Sequence, residues 1–271
     1  MKAKYPLVAA LAVLAALAYA LIEPYLLTVN ETTITSPGIP SGYNGKKIAY
    51  ASDIHCGMYY STGRVGSLVD RIMSLKPDAI LLGGDYVTGS RTNIRPCVRE
   101  LSRLRAPQGV YAVLGNHDNW ADKEESIKAL EEAGITVLDN RGARLAPGVW
   151  VGGVGDLWTE EQDTDAATNG ASAGDYVILL SHNPRITEET DTSNIDLILS
   201  GHTHGSQILP VRLISAYLPG RLGQPMTSGV YKVNDTTILV SNGVGTVFIP
   251  LRFLVKPEIN LITLERKPNP S

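Results

Sequence analysis

Cysteine, histidine and phenylalanine are all scarce in this chain of 271 residues, at two, five and two copies, and aromatic residues make up only 6% of it. Two cysteines cannot build the dense disulfide framework of a small secreted domain. Cys56 directly follows a candidate metal ligand at a strand end, where it reads as a small buried packing residue, and neither it nor Cys97 fixes a redox compartment. Long basic runs are missing and the formal net charge is −3, so nucleic acid is not an expected partner. There is no internal repeat of solenoid period, no linker between two cores, and no signal for an oligomeric state. What remains is a globular composition, 44% hydrophobic and 19% charged, long enough to bury a sizeable core.

Charge is also missing from the N-terminal region. Lys2 and Lys4 precede the uncharged run 7–22 (LVAALAVLAALAYALI), and no further Lys or Arg occurs before Lys46. The run is short for a spanning helix and slightly long for the core of a signal peptide. Tyr5 and residues 25–27 extend it at both ends, which favours an uncleaved signal-anchor. The triplet Ala18-Tyr19-Ala20 keeps a cleaved, secreted form as the alternative. Either way the lysines stay cytoplasmic and the rest of the chain lies outside the cytoplasmic membrane. The expected organisation is an anchor or signal over 1–27, a linker or edge segment over 28–45, one domain over 46–265 and a tail over 266–271.

From Lys46 onward, short apolar β-branched runs lead into loops that carry Asp, Asn or His. They cover 46–52, 79–82, 110–114, 176–180 and 195–199, with helical segments expected near 64–75, 95–104 and 123–133. Strand, helix, strand at this spacing is an α/β signal, and such sheets bind ligands beyond the carboxyl ends of their strands. Residues 230–233, 237–241 and 259–264 read as further strands that could complete a second sheet, and 160–174 reads as a surface loop.

All five histidines fall in these loops, in the ordered motifs Asp53-Ile54-His55, Gly83-Gly84-Asp85, Gly115-Asn116-His117-Asp118, Ser181-His182-Asn183 and Gly201-His202-Thr203-His204. Singly, each would pass for a turn or a satisfied surface pair; jointly they leave no histidine for packing. Asp53 and His55, two apart at a strand end, project from one face and suit a borderline divalent metal such as Mn, Fe or Zn. Asp85 can bridge two ions, Asn116 offers an amide oxygen, and His182, His202 and His204 offer imidazoles. Two ions roughly 3.5–4 Å apart would activate a water as hydroxide for in-line attack on phosphorus. His117 is spared for protonating the leaving alkoxide, with Asp118 expected to hold its ring and favour the protonated form.

These motifs closely resemble those of the calcineurin-like metallophosphoesterase superfamily: D-x-H, G-D, G-N-H-[DE], H and G-H-x-H. The resemblance spans about 46–264 and implies a four-layer α/β/β/α sandwich with a dimetal site at one sheet edge, behind the N-terminal hydrophobic helix. It implies one metal on Asp53, His55, Asp85 and His204, and the other on Asp85, Asn116, His182 and His202. The sequence lacks the arginine that follows the G-D motif in Ser/Thr protein phosphatases and has Asp118 where they have Glu, which disfavours that class. The hydrophobic N-terminus, Ser52-Asp53-Ile54-His55 and Ser241-Asn242-Gly243-Val244-Gly245 instead look like a membrane-associated branch, the YaeI- and YkuE-like phosphodiesterases, which also contains UDP-diacylglucosamine hydrolases. Ser206 replaces a glycine usual there and removes no ligand.

The expected activity is hydrolysis of a phosphodiester, small or lipid-linked, rather than a monoester, with manganese among the candidate metals. A pyrophosphatase acting on nucleotide-activated lipid sugars is the alternative. A non-catalytic scaffold on the same fold should have lost ligands, and none is missing. Residues 208–223 (ILPVRLISAYLPGRLG) carry only Arg212 and Arg221 as charges and read either as a loop packed over the sheet edge or as a lip that meets lipid.

Overall fold

The computed structural model describes residues 4–215, 217 and 225–267; Arg221 and most of the tail lie outside them. Helix α1 (Lys4–Ile22) is followed by strand β1 (Thr28–Ser36), then β2 (Lys46–Ala51), α2 (Thr62–Ser74), β3 (Ala79–Leu82), α3 (Ile94–Leu101), β4 (Val110–Ala112), α4 (Asn116–Glu132) and β5 (Thr136–Val137). The second half runs β6 (Arg141–Ala146), β7 (Val149–Gly153), α5 (Thr164–Thr168), β8 (Tyr176–Leu180), α6 (Ile186–Glu189), β9 (Leu197–Ser200), α7 (Leu209–Ser215), β10 (Gly229–Val233), β11 (Thr236–Val240) and β12 (Glu258–Arg266).

Strand periodicity builds the layers. In β2, Ile48 and Tyr50 face one way and Ala49 and Ala51 the other; in β3, Ala79 and Leu81 oppose Ile80 and Leu82. Both faces are buried, which is why these strands read as continuous apolar runs. Two six-stranded mixed sheets result, in the orders β1-β12-β2-β3-β4-β5 and β10-β11-β9-β8-β7-β6. Ile48, Tyr50, Leu81, Ile178, Leu180 and Leu199 fill the space between them. Helices α2, α3 and α4 cover the outer face of the first sheet through Val65, Leu68, Val98 and Leu130. The outer face of the second sheet is covered more thinly, around Trp150, Ala167 and Ile186. This is the expected α/β/β/α sandwich.

Residues 28–45, expected as a linker or edge segment, contain the edge strand β1, paired in parallel with β12. Other features depart from the sequence expectations. Strand β12, expected in the second sheet, lies in the first, antiparallel to β2. Strands β6 and β7 were not foreseen, because Gly142, Gly152 and Gly153 dilute their β-branched signal. Cys56, expected as a free packing residue, is buried but joined to Cys97 of α3 by a disulfide, with Cα atoms 6.2 Å apart.

Helix α1 is longer than the bare apolar run suggested: the apolar helical stretch covers Tyr5–Tyr25, 21 residues of mean hydropathy 2.2, with only 6% of its central window buried. At a rise of 1.5 Å per residue that matches a hydrocarbon core of about 30 Å.

Candidate metal centre

Strands β2, β3 and β4 are parallel to one another, as are β7, β8, β9 and β11. Their carboxyl ends deliver Asp53 and His55, Asp85, Asn116, His182, and His202 with His204 to one end of the sandwich. The loops after β2 and β3 are zipped together, Asp53 N–H donating to Gly84 O and His55 N–H to Asp85 O. Asp53, His55, Asp85, His202 and His204 all have positive φ, between 49° and 66°. Such conformations are uncommon for residues other than glycine and gather at functional sites, because only a surrounding framework sustains them. Glycine supplies the close approaches. At Gly84, φ is +90°, and an added Cβ would lie 2.6 Å from Gly115 N; at Gly201 it would lie 2.2 Å from Asp53 Oδ2.

Within this frame the side chains form two nests. In one, His55 Nε2 and His204 Nε2 are 2.9 Å apart, with Asp53 Oδ1 3.4 Å from His204 Nε2. In the other, His202 Nδ1 is 3.3 Å from His182 Nε2. Asp85 Oδ2 belongs to both, 3.4 Å from His55 Nε2 and 3.2 Å from His182 Nε2. Two nitrogens each about 2.1 Å from one ion and at right angles to each other would lie about 3 Å apart, so these spacings suit divalent cations. Among the described residues, the buried Asn116 Oδ1 and His204 Nδ1 have no hydrogen-bond partner, as an oxygen ligand and an adjustable ring would. His182 Nδ1 lies 2.7 Å from Gly83 O; donating there fixes the tautomer and leaves Nε2 facing the nest. Asp53 is oriented by Ser52 Oγ at 2.6 Å and by His202 N–H at 2.9 Å.

Protonation follows from burial and neighbouring charge. Burial pushes His55 and His202 down to about 3 and His204 well below the usual imidazole range, so these rings are neutral and can offer lone pairs. For His182 burial acts the same way, but the charge and hydrogen bond of Asp85 outweigh it and hold the ring well above that range. Asp53 is pushed up to about 6 by burial and by Asp85, against the pull of His182. The cluster therefore stores protons that a cation would displace.

His117 sits at the rim, half-buried. Its ring is 4.7 Å from that of His55 and 4.9 Å from that of Trp120, centroid to centroid, and burial pushes its pKa down. Asp118 does not hold this ring, contrary to the sequence expectation. Its carboxylate turns inward and accepts from the backbone N–H groups of Asp85, Tyr86, Val87 and Gly115, at 2.7–3.3 Å. At the third position of α4 it caps the helix and pins the Asp85 loop to the Asn116 loop. His117 N–H in turn donates to Asp85 Oδ1 at 2.9 Å.

Two residues of the site went unnoticed in the sequence. Asp156, fully buried beyond β7, accepts from Trp158 N–H and Thr159 Oγ1, has no partner for Oδ2 among the described residues, and lies close enough to His182 to raise its pKa. The rule that found the candidate residues, a strand running into Asp, applies to VWVGGVGD as well. Arg252 is fully buried and donates to the carbonyls of Asn242, Gly243, Gly245, His204 and Val255. A lone arginine in an apolar run gave no such signal.

A cleft of about 310 Å³ opens over the centre, with His117, His202 and His204 in its floor and Trp120, Val211 and Phe248 in its walls. Comparisons with known proteins agree with this centre. The chain is 34% identical over 252 residues to an uncharacterized metallophosphoesterase, YkuE, of Bacillus subtilis, covering 90% of this chain and 87% of that protein. An uncharacterized metallophosphoesterase of Aquifex aeolicus is 34% identical over 267 residues, 93% of this chain and 97% of that protein. A transmembrane protein with metallophosphoesterase domain from Danio rerio is 28% identical over 255 residues, 88% of this chain and 57% of that protein. The model of the calcineurin-like phosphoesterase family matches residues 46–206, the stretch that carries every histidine described above, and the chain belongs to that family.

Proposed function

We propose that the chain is a dinuclear-metal-dependent phosphodiesterase acting at the outer face of the cytoplasmic membrane. The observation that carries this reading is Asp85 Oδ2, equidistant within 0.2 Å from an imidazole of each nest. Asp53, His55, Asp85 and His204 would hold one ion, and Asp85, Asn116, His182 and His202 the other. Bound there, two divalent ions supply Lewis acidity and a water of lowered pKa. His117, at the mouth and not needed in either set, would protonate the departing alkoxide. Burial lowers its pKa and leaves the ring neutral before substrate arrives, and the negative charge of a bound phosphate would favour the protonated form that donates. Asp118 positions the loops rather than the proton.

Three observations support the membrane placement: the exposed apolar helix α1, the absence of Lys and Arg between Lys4 and Lys46, and the name of the Danio rerio relative. The Cys56–Cys97 disulfide supports the outer side, since such bonds persist in oxidising compartments. Retention of α1 as an anchor is supported by its exit, where Glu23 is fully buried and Ala20 O accepts from Arg252 N–H. Apolar walls in the cleft favour a lipid-linked diester, with the pyrophosphate of a nucleotide-activated lipid sugar as the second reading. The test is hydrolysis of bis-(p-nitrophenyl) phosphate by the full chain with added Mn²⁺, Fe²⁺ or Zn²⁺. Turnover that disappears in His117→Ala is expected; wild type as inert as the variant with every metal would overturn the proposal.

A further inference from the structure

We propose that the loop 246–255 and α7 form a second membrane contact, an apolar rim that seats the mouth of the metal-site cleft on the same lipid leaflet from which α1 emerges. The surface rests on the reading of α1 as a membrane helix and deepens the lipid-linked reading of the cleft. Its occupant is fixed by continuity with α1. Tyr19, in the last turns of that helix, packs edge-on against Phe253 with ring centroids 6.1 Å apart. Arg252 N–H donates to Ala20 O at 3.0 Å, and Leu254 N–H to the Glu23 carboxylate at 2.6 Å. Residues 252–254 are thereby held at the depth where α1 leaves the hydrocarbon.

What this loop exposes is apolar. Phe248 is 87% exposed, and Ile249 and Leu254 are exposed beside it; both phenylalanines of the chain lie in this one loop. Helix α7 continues the surface with Leu213 and Ile214, followed by Tyr217. The two segments are tied together, Leu209 N–H donating to Phe253 O at 2.9 Å and the Gln207 amide bonding both ways to Val247. Phe248 and Leu254 hold φ of 61° and 57°, a conformation rarely adopted by bulky residues, with their side chains turned outward. Scattered exposed apolar residues are ordinary, but a contiguous patch beside a spanning helix marks an interaction surface. Aromatic side chains at that depth sit at the headgroup boundary. Because Val211, Val247 and Phe248 also wall the cleft above His117 and His202, the rim and the mouth are one structure. A phosphoester on an amphiphile could enter from the leaflet without its chains crossing water.

The full chain, reconstituted into phosphatidylcholine vesicles with and without acyl-chain-brominated phosphatidylcholine, tests the contact. Tryptophan is introduced as Phe248→Trp or Leu213→Trp on the rim, and as Ser74→Trp at the end of α2 remote from the centre, and wild-type emission is subtracted. Bromolipid is expected to quench a third or more of the added emission at each rim position and almost none at Ser74→Trp. Equal quenching at rim and control positions, in chains that float with the vesicles, overturns the rim alone. A chain that does not float with the vesicles overturns both the rim and the membrane reading beneath it. Rim quenching in a chain inert towards every phosphoester leaves the contact standing and removes the proposed activity.

Discussion

Asp85 and His117 are neighbours with separable duties. Asp85 gives one oxygen to both nests and the other to His117 N–H, so under the proposed assignment its removal would take a ligand from each ion at once. Asp85→Ala is expected to lose both bound metal and turnover, whereas His117→Ala should keep its metal content and lose roughly 10²–10⁴-fold in turnover. Metal analysis of the purified variants beside the rate assay separates the two, and a metal-depleted His117→Ala protein would make that ring a ligand. Asp118 gives a different signature. With an amide in place of one oxygen, Asp118→Asn leaves about two of four buried N–H groups facing another donor, each costing about 1–3 kcal/mol. Thermal stability and metal affinity should fall together, while the pH dependence of the remaining turnover keeps its shape. A shifted basic limb, where His117 loses its proton, would return Asp118 to the role of ring partner.

Among the elements, the legible ones were those whose function and packing agree. Strands β3 and β8, β2 from Ile48 onward and β9 up to Leu199 are buried on both faces and apolar, and each leads into a loop whose candidate ligand marks its carboxyl end. Strand β1 escaped notice because TVNETTITS alternates polar and apolar residues on an edge strand whose outer side meets water. In β7, glycine stands where Cβ atoms would collide with Ala167 and Leu138, so packing itself erased the strand signal. The break in α4 at Asp122 explains why only its second half was foreseen: the first turns carry Asn116 and Asp118 and serve the site, and a regular amphipathic stripe starts after the break. The Cys56–Cys97 bond could not be foreseen from spacing, since 41 residues separate the partners and proximity arises only when α3 packs beside the His55 loop. Closing a loop of that size contributes about 2–4 kcal/mol, so Cys56→Ser/Cys97→Ser is expected to melt roughly 5–15 °C below wild type. Reductant should lower the wild-type transition towards that value and leave the variant unmoved. Two titratable thiols in the unreduced, denatured wild-type protein would show that the bond does not form.

At the scale of the whole molecule, the centre straddles the two sheets. Asp53, His55, Asp85 and Asn116 come from the first, and His182, His202 and His204 from the second. Cations held between them would cross-link the sandwich at one end, so chelation should lower its melting temperature and added metal raise it with concentration, by about 2.7 kcal/mol at a hundredfold excess over Kd. The same linkage has a pH dependence whose sign follows from the stored protons. Without ions, His182 remains protonated well above the usual imidazole range, and coordination through Nε2 requires that proton to leave. Asp53 adds a second proton once the pH falls below about 6. His55 and His202, neutral down to about 3, add none. Protons compete with the cation, so affinity falls as pH falls, about tenfold per unit for each proton displaced. Near neutrality one proton should be released, rising towards two below about pH 6. Calorimetric titration with Mn²⁺ in two buffers of different ionisation enthalpy counts these protons directly. An affinity unchanged between about pH 5 and 8, with no proton released, would mean that His182 and Asp53 are both unprotonated before the metal arrives.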